Sequence, residues 1–263
     1  AYGKVPKKEI YDATGTQFMF FNSIFQLLSE VENKNPALEI AEDLLFMPDL
    51  LGYWLTGNKT QERSIASTSQ LYNPKLKDWD YDLIEKLGLP KKLFKTISDP
   101  SDTLGELSEH VATATGLSNT KVITVAGHDT ASAVAAVPSR AKTPAFLSSG
   151  TWSLMGLELK EPVINEQSFA DAFTNEIGVN NTVRFLKNIC GLWLIQESTR
   201  HRLPEGQYVP YGKMAALATE ADPFRSLINT ADPRLIEAGR FPEKFHEFCD
   251  VAGQPTPDTK DLI

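Results

Sequence analysis

The sequence predicts an α/β protein, and two stretches lying close together in the chain carry that prediction. In the first, Val122-Ile-Thr-Val-Ala has the length and β-branched character of a buried strand. It ends in Gly127-His128-Asp129 and passes at once into an alanine-rich helical run, which puts Asp129 at the carboxyl end of a strand. Open α/β sheets bind their ligands at that position. In the second, the segments beginning at Ala145 and Trp152 read as two short apolar strands joined by Ser148-Ser149-Gly150-Thr151. The glycine of such a turn lets the backbone approach a ligand, and its amides and hydroxyls are donors for an anion. A carboxylate together with a small hydroxylated turn suggests phosphoryl transfer to an alcohol.

The remaining elements follow in order. Phe21, Ile24, Phe25, Leu28 and Val31 recur at helical spacing after a start at Asn22 or Thr14, and the run breaks before Pro36. An apolar run over 44–55 contains Pro48 and Gly52 and closes on Gly57, a C-cap glycine. Short helices are expected over 78–87, stopped by Gly88, and over 105–115, stopped by Gly116. The proline-bounded segment 138–144 reads as a hinge, which divides the chain into domains 1–139 and 140–263. Beyond it the sequence predicts a hairpin, a strand over 183–186, and helices over 189–201, 211–221 and 242–251. Both ends of the chain read like the interior of a longer protein, so a fragment is expected.

With 263 residues, 41% of them hydrophobic, the chain can bury a sizeable core. A net charge of -8 argues against nucleic acid and acidic membranes as partners. No run approaches the ~18 apolar residues of a spanning helix. Cys190 and Cys249 lack metal-type spacing and are expected to be free thiols in a reducing cytoplasm. His110, His201 and His246 are scattered, which argues against a histidine metal site.

Each candidate residue also has an ordinary structural reading. An aspartate opening a helix is commonly an N-cap worth about 1 kcal/mol, whereas phosphoryl transfer to a hydroxyl needs a carboxylate that accepts the proton; Asp129 suits both. His128 is either a structural histidine or a hydrogen-bond donor to a substrate hydroxyl. The Ser149-Gly150-Thr151 turn occurs in many hairpins that bind nothing. Asn188 reads as the N-cap of a helix beginning at Ile189, and Gln196 on that helix needs a partner, either a nucleotide or a backbone carbonyl. The chain has no GxxxxGK[ST], GxGxxG or GxSxG motif.

Gly127-His-Asp-Thr-Ala-Ser-Ala-Val, Leu147-Ser-Ser-Gly-Thr-Trp-Ser-Leu-Met-Gly, Leu186-Lys-Asn-Ile-Cys-Gly-Leu-Trp-Leu and Phe46-Met-Pro-Asp-Leu-Leu-Gly-Tyr-Trp-Leu-Thr-Gly together resemble the FGGY carbohydrate kinase family over essentially the whole chain. The resemblance implies an actin-like, ribonuclease-H-like pair of α/β domains, truncated at both ends. It also implies ATP and Mg2+ as cofactors and L-rhamnulose or a related ketose as acceptor at its 1-hydroxyl. On that basis Asp129 is the catalytic base, with His128, Thr130 and Asn188 on the sugar and Gly150, Thr151 and Gln196 on ATP. The family's N-terminal Asp-x-Gly-x-x-Ser-Gly-Arg phosphate loop and C-terminal Gly-Gly-Gly adenosine loop do not occur here, so this polypeptide by itself is expected to have little activity. The alternatives are sibling kinases of xylulose, fuculose or glycerol, and a sugar-binding relative without catalysis.

Overall fold

The computed structural model describes residues 1–202 and 209–257, the side chains of 201 and 202 excepted. Four helices come first: α1 (Lys7–Thr14), α2 (Ser23–Glu32), α3 (Ala37–Ile40) and α4 (Met47–Thr56). Strand β1 (Gln61–Glu62) runs into α5 (Arg63–Ala66), followed by β2 (Tyr72–Asn73), β3 (Asp78–Trp79), α6 (Tyr81–Leu87), β4 (Ile97–Ser98), β5 (Thr103–Glu106), α7 (Glu109–Thr115), β6 (Lys121–Ile123) and α8 (Asp129–Ala135). Then come β7 (Ala145–Ser149), β8 (Trp152–Leu159), α9 (Glu166–Ala170), β9 (Thr174–Ile177), β10 (Val183–Cys190), α10 (Trp193–Arg202), α11 (Tyr211–Glu220) and α12 (Glu243–Ala252). Strands β7, β8, β10 and β9 form a sheet in that order, while β1 pairs with β4, β2 with β3 and β5 with β6. The chain divides into two compact units. The first takes Ala1–Phe146 and Met155–Lys187; the second takes Leu147–Leu154 and the described chain from Asn188 onward.

The helix signals translate directly where they are local. Helix α2 starts after Asn22 and buries Ile24, Leu27 and Leu28. Pro48 sits in the first turn of α4, where its missing N–H breaks no bond. Gly57, Gly88 and Gly116 close α4, α6 and α7 with φ of 78°, 76° and 73°, a left-handed geometry that glycine adopts without strain.

Three expectations change because strand pairing competes with local pattern. The helix expected over 105–115 begins only at Glu109, since Thr103–Glu106 pairs antiparallel with β6. The first residues of 78–87 likewise pair with β2, and Asp80 caps the shortened α6 by accepting a hydrogen bond from the Leu83 amide. The strand expected to be buried over 122–126 is the short β6, covered on one side: Thr124 and Ala126 are buried, but Ile123 is 47% and Val125 65% exposed.

The core of the first unit gathers around Trp79 with Ile10, Ile24, Leu71, Ile84, Leu87, Leu93 and Phe94. The Trp79 indole N–H donates to Gln61 Oε1 (3.1 Å) and the Lys95 carbonyl (2.9 Å). Gln61 is itself buried, and its amide donates to the carbonyls of Leu44 (2.7 Å) and Leu93 (2.8 Å). A buried amide is tolerated there because both its ends are satisfied. In the second unit Leu235, Phe241 and Phe245 form a smaller cluster with Leu194 and Ile228.

Asp49, 3% exposed, spends one carboxylate oxygen on the Glu62 amide (3.1 Å), while Oδ2 finds no hydrogen-bond partner among the described residues. Burial, aided by the nearby Glu62 charge, pushes its pKa up to about 7. In an unfolded chain the same carboxyl titrates at about 3.9. Between those values the folded state holds a proton that the unfolded state has lost, so stability falls as pH rises from about 4 to 7. Asp49→Asn keeps the acceptor and removes the charge. Its stability gain over wild type, read by urea denaturation, is expected to be near zero at pH 4 and to reach the order of 2–4 kcal/mol at pH 8.

Candidate active site

The turn from β6 into α8 is held by a residue far away in sequence. Glu62 is 1% exposed, and its carboxylate accepts the amides of Ser64 (2.7 Å) and Ile65 (3.2 Å), capping α5. The same carboxylate accepts the Gly127 amide at 2.8 Å and the Ser64 hydroxyl at 2.6 Å. The Ser64 oxygen then accepts the His128 amide at 3.1 Å. Of the two successive amides ahead of Asp129, one is held by this buried carboxylate and the other by the Ser64 hydroxyl that the carboxylate fixes. Gly127 sits in close quarters, since a Cβ there would lie 3.1 Å from Pro48 and 3.2 Å from Glu62 and would need these side chains to give by a few tenths of an ångström.

Asp129 is the first residue of α8 and is exposed, and the N-cap position falls to His128. One Asp129 oxygen accepts the Thr130 amide at 2.6 Å and the Thr130 hydroxyl at 3.3 Å. Thr130 is buried, so of the three adjacent residues only His128 and Asp129 reach the surface. Ser132 ties α8 back to the strand end through the Ala126 carbonyl at 2.9 Å.

Beneath His128 lies a buried ion pair. Arg184 on β10 is 0% exposed, and its Nη2 stands 3.2 Å from Glu176 Oε2 on β9 and 3.0 Å from His128 Nδ1. Arg184 Nε and Nη1 have no hydrogen-bond partner among the described residues. Burial lowers the His128 pKa from its ordinary value; the Arg184 charge pushes the same way, while Glu176, Asp129 and Glu62 oppose it.

The second unit holds the other expected residues. Gly150 and Thr151 form the tip of the β7–β8 hairpin, and the Gly150 amide donates to the Trp152 carbonyl at 2.8 Å. The tip carbonyls accept the amides that open α10: Leu192 to Gly150 (2.9 Å), and Gly191 (3.2 Å) and Trp193 (3.1 Å) to Thr151. Steric need for glycine falls on Gly191, where a Cβ would lie 2.7 Å from the Gly150 carbonyl oxygen; at Gly150 it would meet nothing closer than 3.7 Å. Asn188 is not a helix cap. Strand β10 runs on through Cys190 and α10 begins at Trp193, because the chain turns at Gly191. Gln196 lies on α10 and donates to the Tyr211 hydroxyl at 3.0 Å, a side-chain partner where the sequence offered a nucleotide or a backbone carbonyl. Cys190 and Cys249 are buried free thiols.

Glu62, Ser64, Glu176 and Arg184 were not legible as site residues. The one local signal was Arg184, a charge inside the apolar Val183-Arg-Phe-Leu strand, since a buried arginine needs a partner. Glu62→Gln replaces an acceptor oxygen with an amide that faces other donors. It is expected to cost about 2 kcal/mol and to release the Gly127 and His128 amides to hydrogen exchange. Ser64→Ala is expected to release the His128 amide alone. Unchanged protection in both variants would refute the clamp.

Comparison with known proteins adds the family. Residues 3–136 match the N-terminal domain and residues 145–250 the C-terminal domain of the FGGY family of carbohydrate kinases. The chain is 44% identical over 262 residues to a rhamnulokinase of Bacteroides thetaiotaomicron, covering 100% of this chain and 53% of that protein. It is 40% identical to a rhamnulokinase of Enterococcus faecalis, covering 96% and 50%. The chain thus spans about half the length of the curated relatives it matches. Crystal structures of a gluconate kinase and a ligand-bound xylulose kinase, both from Lactobacillus acidophilus, share the fold with TM-scores of 0.67 at 18% identity, each over 84% of this chain and 44% of the other. With both domains matched in order along nearly its whole length, the chain belongs to the FGGY family of carbohydrate kinases.

Proposed function

We propose that this chain is part of an ATP-dependent kinase that phosphorylates the 1-hydroxyl of L-rhamnulose, with Asp129 as the base. The observation that carries the chemistry is the exposed Asp129 carboxylate mounted on a turn clamped by buried Glu62. The sugar class rests on the rhamnulokinase relatives. One Asp129 oxygen is engaged by Thr130, which orients the carboxylate; the other is available to accept the proton of the attacking hydroxyl. As that proton leaves, the hydroxyl oxygen bonds to the γ-phosphorus, the bond to the β-phosphate oxygen breaks, and ADP departs.

His128 and Asn188 serve the ketose, while Gly150, Thr151 and Gln196 serve ATP. In support of the second group, hydrogen bonds join the hairpin tip bearing Gly150 and Thr151 to the start of the helix bearing Gln196. Among the described residues no three carboxylate, histidine or cysteine side chains gather into a metal cage. Mg2+ bound with ATP would neutralise phosphate charge. Among the described residues no helix is long and apolar enough to cross a membrane.

The test is ADP release with L-rhamnulose and L-xylulose, using this chain within a polypeptide of its relatives' full length. Asp129→Asn is expected to lower kcat by about 10²- to 10⁴-fold with little change in the sugar KM. Undiminished kcat in that variant would remove Asp129 from the chemistry, and preference for L-xylulose would reassign the sugar.

A further inference from the structure

We propose that Arg184 is a positioning residue that holds His128 in the neutral tautomer protonated on Nε2, so that the ring offers an N–H donor to a sugar oxygen beside Asp129. The argument is one of donors and acceptors. A guanidinium carries only donors. Its Nη2 lies 3.0 Å from His128 Nδ1, so Nδ1 is the acceptor in that contact and the ring's single proton sits on Nε2. An imidazolium would oppose two donors at this distance.

The surrounding charges are consistent with the assignment. Glu176, facing from β9, stands 3.8 Å from Nδ1, beyond hydrogen-bond reach, and 3.2 Å from Arg184 Nη2, an ion pair without hydrogen-bond geometry, since Glu176 Oε2 accepts no hydrogen bond among the described residues. Asp129 on α8 and Glu62 on β1 are the other charged groups acting on the ring, together with Arg184 from β10. Arg184 is fully buried. Desolvation reinforces the neutral ring by holding the His128 pKa below its usual value.

The consequence is a complementary pair. Asp129 accepts a hydroxyl proton, and His128 gives a hydrogen bond to an oxygen lone pair on the same ligand. A ligand bearing an ammonium group opposite His128 would be rejected, because it too has only donors. The identity of the ligand rests on the kinase reading above, whereas the protonation state of His128 does not.

The experiment is a long-range proton–nitrogen NMR correlation on the 263-residue chain labelled in histidine, titrated with pH and assigned by loss of the signal in His128→Gln. The expected result is an Nε2-protonated neutral ring at pH 7. In Arg184→Met, with Glu176 still beside the ring, the midpoint is expected to rise by about 1 unit or more and the pure Nε2–H signature to be lost. In Glu176→Gln the Nε2–H tautomer should persist and the midpoint fall. An Nδ1–H ring in wild type, or an unaltered signature in folded Arg184→Met, would overturn the proposal. Should Arg184→Met fail to fold, a switch to Nδ1–H in Glu176→Gln would overturn it equally. Addition of L-rhamnulose to this chain within a polypeptide of its relatives' full length should shift the Nε2 resonance; an intact Nε2–H tautomer that ignores the sugar there would defeat the sugar-site reading and leave the tautomer assignment standing.

Discussion

The buried carboxylate of Glu62 is the constraint on which the site depends. Burying a charge is costly unless its lone pairs are used, and here four donors use them: the amides of Ser64, Ile65 and Gly127 and the hydroxyl of Ser64. The group that caps α5 therefore also fixes the chain some sixty residues later, just before Asp129. A turn tied by its own backbone amides has little freedom to reorient, which is what a proton acceptor needs if it is to meet a substrate in one geometry.

Polarity is graded across this site. Asp129 is exposed, His128 is partly covered, and Arg184 and Glu176 are buried beneath it. A buried ion pair contributes little net stability by itself, because desolvation offsets the attraction. Its use here is directional: Arg184 can only donate, so it dictates what His128 can do. The two unpartnered nitrogens of Arg184 show that this corner of the first unit is not arranged for maximal stability.

Family and fold rest on different comparisons. Identity of about 40% with rhamnulokinases along nearly the whole chain, together with both domain matches, carries the family. The gluconate and xylulose kinases, at 18% identity, share the architecture and say nothing of the acceptor. The order of elements is thus common to kinases of several sugars.

What the sequence determined by itself was local. Glycine stops at Gly57, Gly88 and Gly116, the amphipathic face of α2, the β7–β8 hairpin and the strand-to-helix passage at Asp129 were all legible, because each depends on residues within a turn or two. The motifs around Asp129 and Gly150 also revealed the family. Tertiary structure alone decided the rest. Pairing with β6 made strand of 105–106, where a helix was expected to start, the close approach of Gly191 to Gly150 moved the start of α10 past Asn188, and β6 was left half uncovered. It also brought Glu62, Glu176 and Arg184 to the Asp129 turn, across separations at which periodicity and capping rules are silent. Hydrogen bonds between distant segments are set by how the packed elements meet, and no local pattern encodes them.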